Sequence, residues 1–125
     1  MARVYYNKLI RDKIPEKIKG KGEDCEVRSI SDEQEFEQEL LKKVTEEAQA
    51  LSVVRGRNDL LNELADLAAV LDELKKLHAI TDAEFSQACR TNQTEKGGFE
   101  KRLYLHWSSD SDYKSNETPQ GIKHS

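Results

Sequence analysis

The sequence is poor in cysteine and in aromatic residues, has no long apolar run and carries no broad basic stripe, and each shortage removes a class of protein. Cys25 and Cys89 are its two cysteines. They lie far apart, with neither the spacing of zinc ligands nor the density of a secreted disulfide framework, so two reduced thiols are expected. The opening stretch MARVYYNKLIRDK meets charge within a few residues and offers no apolar core for a signal peptide, and no later segment is apolar enough to span a bilayer. A cytoplasmic location without membrane attachment is the expectation. The net charge of −4 argues against duplex nucleic acid as a partner, because phosphate backbones are gripped by clustered Lys and Arg. His78, His106 and His124 share no spacing, and GxSxG, Walker and Cys–His signatures are all missing, which disfavours nucleophilic catalysis.

What remains is a chain with 36% hydrophobic and 35% charged residues, the composition of a soluble helical protein whose charges cover its exposed faces. Its length suits one domain with a modest core. Residues 1–28 are locally basic, and Pro15 in RDKIPEKIKGKG suits the first turn of a short helix that stops by Gly20. Ser31 and Gln34 have capping-box spacing ahead of a long helix over about 32–54, with Phe36, Leu40, Val44, Ala48 and Leu51 as its apolar stripe. Gly56 marks a break, Asn58 or Asp59 is the expected N-cap of the next helix, and the two helices should turn back on each other as an antiparallel pair. Leu60, Leu64, Leu67, Val70, Leu71 and Leu74 give the second of the pair an apolar face wide enough to need more than one partner. Thr81 and Glu84 form another capping box for a third long helix, which runs to the glycines of KGGF with Phe99 packing beyond its end. FEKRLYLHW alternates loosely, as a short extended segment would, and the polar stretch 107–125 has the composition of a disordered tail. The expected fold is all-α: three main helices and a short N-terminal helix form a bundle within 1–106. Three helices with so wide a central apolar arc are too few to seal a core, so oligomerisation, as a dimer or tetramer, should complete it.

Three acids fall on the wrong side of these helices. At about 100° per residue, Glu47 lies within ~20° of the direction of Phe36, inside the arc of Leu40, Val44 and Leu51. On the following helix Glu63 falls between Leu67, Val70 and Leu74, and Asp66 projects about 60° away at the edge of the same stripe. Burying ionised carboxylates costs several kcal/mol each unless a cation offsets them, and clustering them adds to the cost. The cost is met by a basic side chain, Lys43 four residues before Glu47 on the same face or the RGR of the interhelical turn folding over, by simple protonation, or by a metal ion. Two acids three apart on one helix and a third from its neighbour are oxygen ligands for a hard divalent ion, Mg²⁺ first and Mn²⁺ as a substitute. The lack of nearby His or Cys argues against zinc, copper and iron–sulfur chemistry.

Three stretches, YNKLIRDKIPE at 6–16, EEAQA with ELADL at 46–67, and KGGFEKRLYL at 96–105, together resemble the MazG-like all-α nucleotide pyrophosphohydrolases, a family that includes the phosphoribosyl-ATP pyrophosphohydrolases. The resemblance covers about 100 residues and leaves out the polar tail. It implies helical oligomers that use Mg²⁺ to cleave nucleoside triphosphates to the monophosphate and pyrophosphate. The family's metal motif, EExxE followed by ExxD, lands on Glu46, Glu47, Glu63 and Asp66, with one departure: residue 50 is Ala50 where the resemblance implies a metal-binding glutamate. Loss of that carboxylate should weaken metal binding, and Gln49 does not replace it because it projects about 100° around the helix.

On this reading Glu47, Glu63 and Asp66 hold the ion, and Glu46, at the edge of the stripe, orients or deprotonates the attacking water. Lys8, Arg11 and Lys13 form a basic arm able to close over a triphosphate, with Lys96 and Arg102 as further phosphate contacts. Asp12 either orients Arg11 or caps the short helix. Two other readings use the same residues: a nucleotide-binding module that has lost hydrolysis at Ala50, and a structural helical oligomer whose inward acids are paired by basic side chains.

Overall fold

The computed structural model describes residues 2–110 and residue 112; most of the predicted tail, 113–125, lies outside the described residues. Among the described residues all regular structure is helical, in four helices without a strand: α1 (Ile14–Gly20), α2 (Glu33–Ser52), α3 (Arg57–Leu77) and α4 (Asp82–Lys96). The chain divides into two units, residues up to Ser86 and residues from Gln87 onward. No helix among the described residues is long and apolar enough to cross a membrane. Cys25 and Cys89 are free thiols.

In the first unit, α1 carries Pro15 in its first turn as its composition predicts, but its N-cap is Lys13 and no side chain caps it. Asp12 therefore does not serve as the cap. At its other end Gly22, at φ 78°, provides the left-handed residue that lets Glu23 N–H close back on the Ile18 carbonyl. Arg28 then ties the following extended segment to the first turn of α2: Nη1 donates to Glu35 Oε1 at 3.1 Å and Nη2 to Oε2 at 2.5 Å. That fork holds the Glu35 carboxyl below the usual carboxylate range.

Helix α2 starts one residue later than the Ser31 capping box implies. Asp32 is the N-cap, and its side chain accepts from Gln34 N–H; an aspartate there also lies favourably at the positive end of the helix dipole. Between α2 and α3, neither Asn58 nor Asp59 is the N-cap. Gly56 holds that position at φ 85°, while the Asp59 carboxylate reaches back to accept from Arg55 N–H at 3.1 Å. The glycine is needed because a side chain is strained at that φ. Thr81 caps α4 as its spacing predicts, accepting from Glu84 N–H at 3.1 Å.

Helices α2 and α3 pack against each other. Glu37 near the start of α2 meets His78 just past the end of α3, while Glu47 lies with Glu63 and Asp66 nearer the connecting turn, so the pair is antiparallel. Leu40 from α2 and Val70 from α3 are the buried hydrophobic residues among those described. On α2 the half-buried face runs through Phe36, Lys43, Val44, Glu47 and Leu51, and Ala48, expected in the apolar stripe, is exposed. The inward arc is thus shared between apolar and charged side chains. On α3, Leu60, Leu61, Leu64 and Leu71 remain 39–49% exposed.

In the second unit α4 ends where Gly97, at φ 77°, donates its N–H to the Gln93 carbonyl at 2.7 Å. Phe99, expected to pack beyond that end, is instead 95% exposed. Helix termination needs only the glycine backbone, and nothing in its own unit covers the ring. Residues 102–108 form no strand, and Leu103, Tyr104, Leu105 and Trp107 stand exposed among them.

Candidate functional site

The helical periodicity that turns Glu47 inward on α2 and Glu63 and Asp66 inward on α3 brings the three carboxylates together at the helix pair. One oxygen from each can be chosen so that all lie within 4.8 Å of one another, and all three residues are half-buried. Glu46 borders the group on α2.

Two cations reach the cluster. The Lys43 ammonium, on a side chain only 12% exposed, lies 3.4 Å from Glu46 Oε2 and 3.5 Å from Glu47 Oε1. Arg11, from the N-terminal arm, places Nη1 3.6 Å from Asp66 Oδ1. These separations are ion pairs longer than good hydrogen bonds, and they do not satisfy every oxygen: Glu46 Oε2 and Glu63 Oε2 are shielded from solvent without a hydrogen-bond partner. Burial pushes the Glu63 carboxyl above the ordinary carboxylate range, and the charges of Asp66, Glu47 and Asp59 push it further.

The orphaned Glu63 oxygen is the observation against which a metal is tested. An unpaired acceptor in a three-carboxylate cluster is costly, and an all-oxygen donor set from two helices suits a hard divalent cation. Glu47, Glu63 and Asp66 thus offer oxygen donors of the kind a hard divalent cation takes.

Of the predicted phosphate contacts, Arg11 reaches the cluster. Lys8 does not: its ammonium sits 5.5 Å from the centroid of the Tyr6 ring, a cation–π contact within the arm. Lys13 is exposed at the N-cap of α1. Lys96 closes α4 and Arg102 follows it at φ 51°, both in the second unit and both exposed. Sequence spacing pairs Lys43 with Glu47, but its simultaneous approach to Glu46 goes unanticipated, although the i, i+3 interval was there to be noticed. Asp59, one helical turn before Glu63, is a third negative charge bearing on it, which the i, i+4 spacing alone signals.

Compared with family models, curated proteins and solved structures, the chain matches none of them.

Proposed function

We propose that the chain is a Mg²⁺-dependent nucleotide pyrophosphohydrolase that cleaves a nucleoside triphosphate or a related nucleotide, phosphoribosyl-ATP included, between the α and β phosphates. The observation that carries this reading is the buried, unpartnered Glu63 oxygen within the cluster of Glu47, Glu63 and Asp66; the three family-like stretches support it from the sequence. When bound there, the ion supplies positive charge that offsets the phosphate oxygens. Glu46, whose Oε2 has no hydrogen-bond partner, accepts a proton from the water that attacks the α phosphorus. The bond from that phosphorus to the bridging oxygen breaks, and pyrophosphate leaves. Arg11, which reaches Asp66, is the arm residue we expect to move onto the substrate's phosphates, with Lys13 of the same arm as a further candidate.

The proposal includes self-association of a soluble, cytoplasmic protein. Among the described residues Leu40 and Val70 make a very small core, and the exposed leucines of α3 form the apolar surface that a second copy would cover. Light scattering on the purified chain is expected to give a mass of two or four protomers, and a monomer at micromolar concentration contradicts it.

Pyrophosphate release from a panel of NTPs, dNTPs and phosphoribosyl-ATP, with Mg²⁺ present, tests the activity. Turnover of at least one member is expected. Binding without turnover on any favours the non-catalytic module, to which Ala50 points, and Ala50→Glu should then raise metal affinity. The structural reading is favoured by the Lys43 and Arg11 ion pairs, and it requires indifference to Mg²⁺.

A further inference from the structure

Lys43 is the most enclosed cation of the acid cluster, and its position bears on how many metal ions the cluster holds. Its ammonium lies between Glu46 Oε2 at 3.4 Å and Glu47 Oε1 at 3.5 Å, so one fixed positive charge serves both α2 acids. Glu46, Glu47, Glu63 and Asp66 with the neighbouring Asp59 carry five formal negative charges and Lys43 and Arg11 return two, so the remaining deficit of three falls short of the charge that two divalent ions bring. Residue 50 strengthens the point from the other side. It lies one turn after Glu46 and Glu47, as Lys43 lies one turn before them, and as alanine it adds no further carboxylate. Both positions lower the cationic charge the cluster calls for.

We infer that Lys43 is a positioning residue that acts as the cluster's built-in counter-ion, holding Glu46 beside Glu47 and limiting the centre to a single divalent cation. The inference rests on reading Glu47, Glu63 and Asp66 as a metal centre. Like charges repel, so Lys43 also weakens attraction for that ion, and removing its charge strengthens it.

The test is a titration of the purified full chain with Mn²⁺, following the loss of the free-ion electron paramagnetic resonance signal, with circular dichroism to verify helicity. The parent is expected to take up one Mn²⁺ per chain. Lys43→Met, which keeps the length and helix preference of the side chain, is expected to bind that ion at least about tenfold more tightly or to admit a second, while Lys43→Arg stays within about twofold of the parent. Lys43→Gln serves in place of the methionine variant if that protein does not fold. A parent that binds two ions overturns the inference without any variant. So does a neutral variant with unchanged stoichiometry and affinity, or with weaker binding. A parent that binds no Mn²⁺ overturns the metal centre itself, and the inference with it, whereas the other failures leave the centre standing.

Discussion

Glu63→Gln is expected to raise the melting temperature of the metal-free protein and to abolish the further rise that Mg²⁺ gives the parent. The carboxylate is desolvated and crowded by Asp66, Glu47 and Asp59, and its Oε2 has no partner, so a neutral isostere relieves repulsion that the metal-free fold bears. The same substitution removes a ligand. In the parent, an ion that binds only the folded state stabilises it by ~2.7 kcal/mol at about one hundred times its dissociation constant, on the order of 10 °C for a chain of this length. Thermal melts of both proteins with and without millimolar Mg²⁺ provide the measurement, and an equal Mg²⁺ response in the variant contradicts the assignment of Glu63. Pyrophosphate release should fall roughly 10²-fold or more, since losing even an outer-shell partner of a metal site costs about 10–100-fold. The pH dependence has a definite sign. Because the folded pKa of Glu63 is raised, its proton stabilises the metal-free fold at acid pH, and that contribution is lost as the pH rises through the raised pKa. Mg²⁺ must displace the same proton, so the gain from metal shrinks as the pH falls toward that pKa.

Leu40→Ala is expected to cost about 2–5 kcal/mol, the range for deleting a fully buried leucine side chain. Leu40 is 2% exposed and Val70 5%, and with so small a core the loss is a large fraction of the total stability of a small domain. Urea denaturation followed by circular dichroism should show a lower midpoint with the slope unchanged. Leu64, 44% exposed in the single chain, is the informative comparison. Leu64→Ala costs little if the chain acts alone, and it costs stability together with a fall in mass by light scattering if a second copy covers α3. A Leu40→Ala protein as stable as its parent would show that the α2 and α3 pairing does not hold the fold.

Much of the first unit was legible along the chain because its signals are local. A helix needs only residues within a few positions of one another, so Pro15, the Asp32 neighbourhood, Gly56 and the Thr81–Glu84 box delimit the helices to within a residue or two. The structure departs from the local pattern where two local groups compete for one role. Asp32 won the α2 cap over Ser31, and Gly56 took the α3 cap while Asp59 turned its side chain backward. Phe99 departs from its expected packing for another reason: its burial depends on a distant surface, and none in its unit covers it.

For the candidate site, the 3.6-residue period was enough to place Glu47, Glu63 and Asp66 on inward faces, because helix geometry dictates direction before any partner is chosen. Which cation meets which acid depended on the register of α2 against α3, on the path of the arm before α1, and on side-chain rotamers, none of which a local pattern encodes. Only the tertiary structure brought Arg11 to Asp66 and enclosed a Glu63 oxygen without a partner, whereas Lys43 meets Glu46 and Glu47 at i, i+3 and i, i+4 within α2. The physical reason is that helical direction and the charge pairs within one helix come from residues a few positions apart, whereas the pairing of Arg11 with Asp66 is decided by the distance between segments that meet only when the chain has folded.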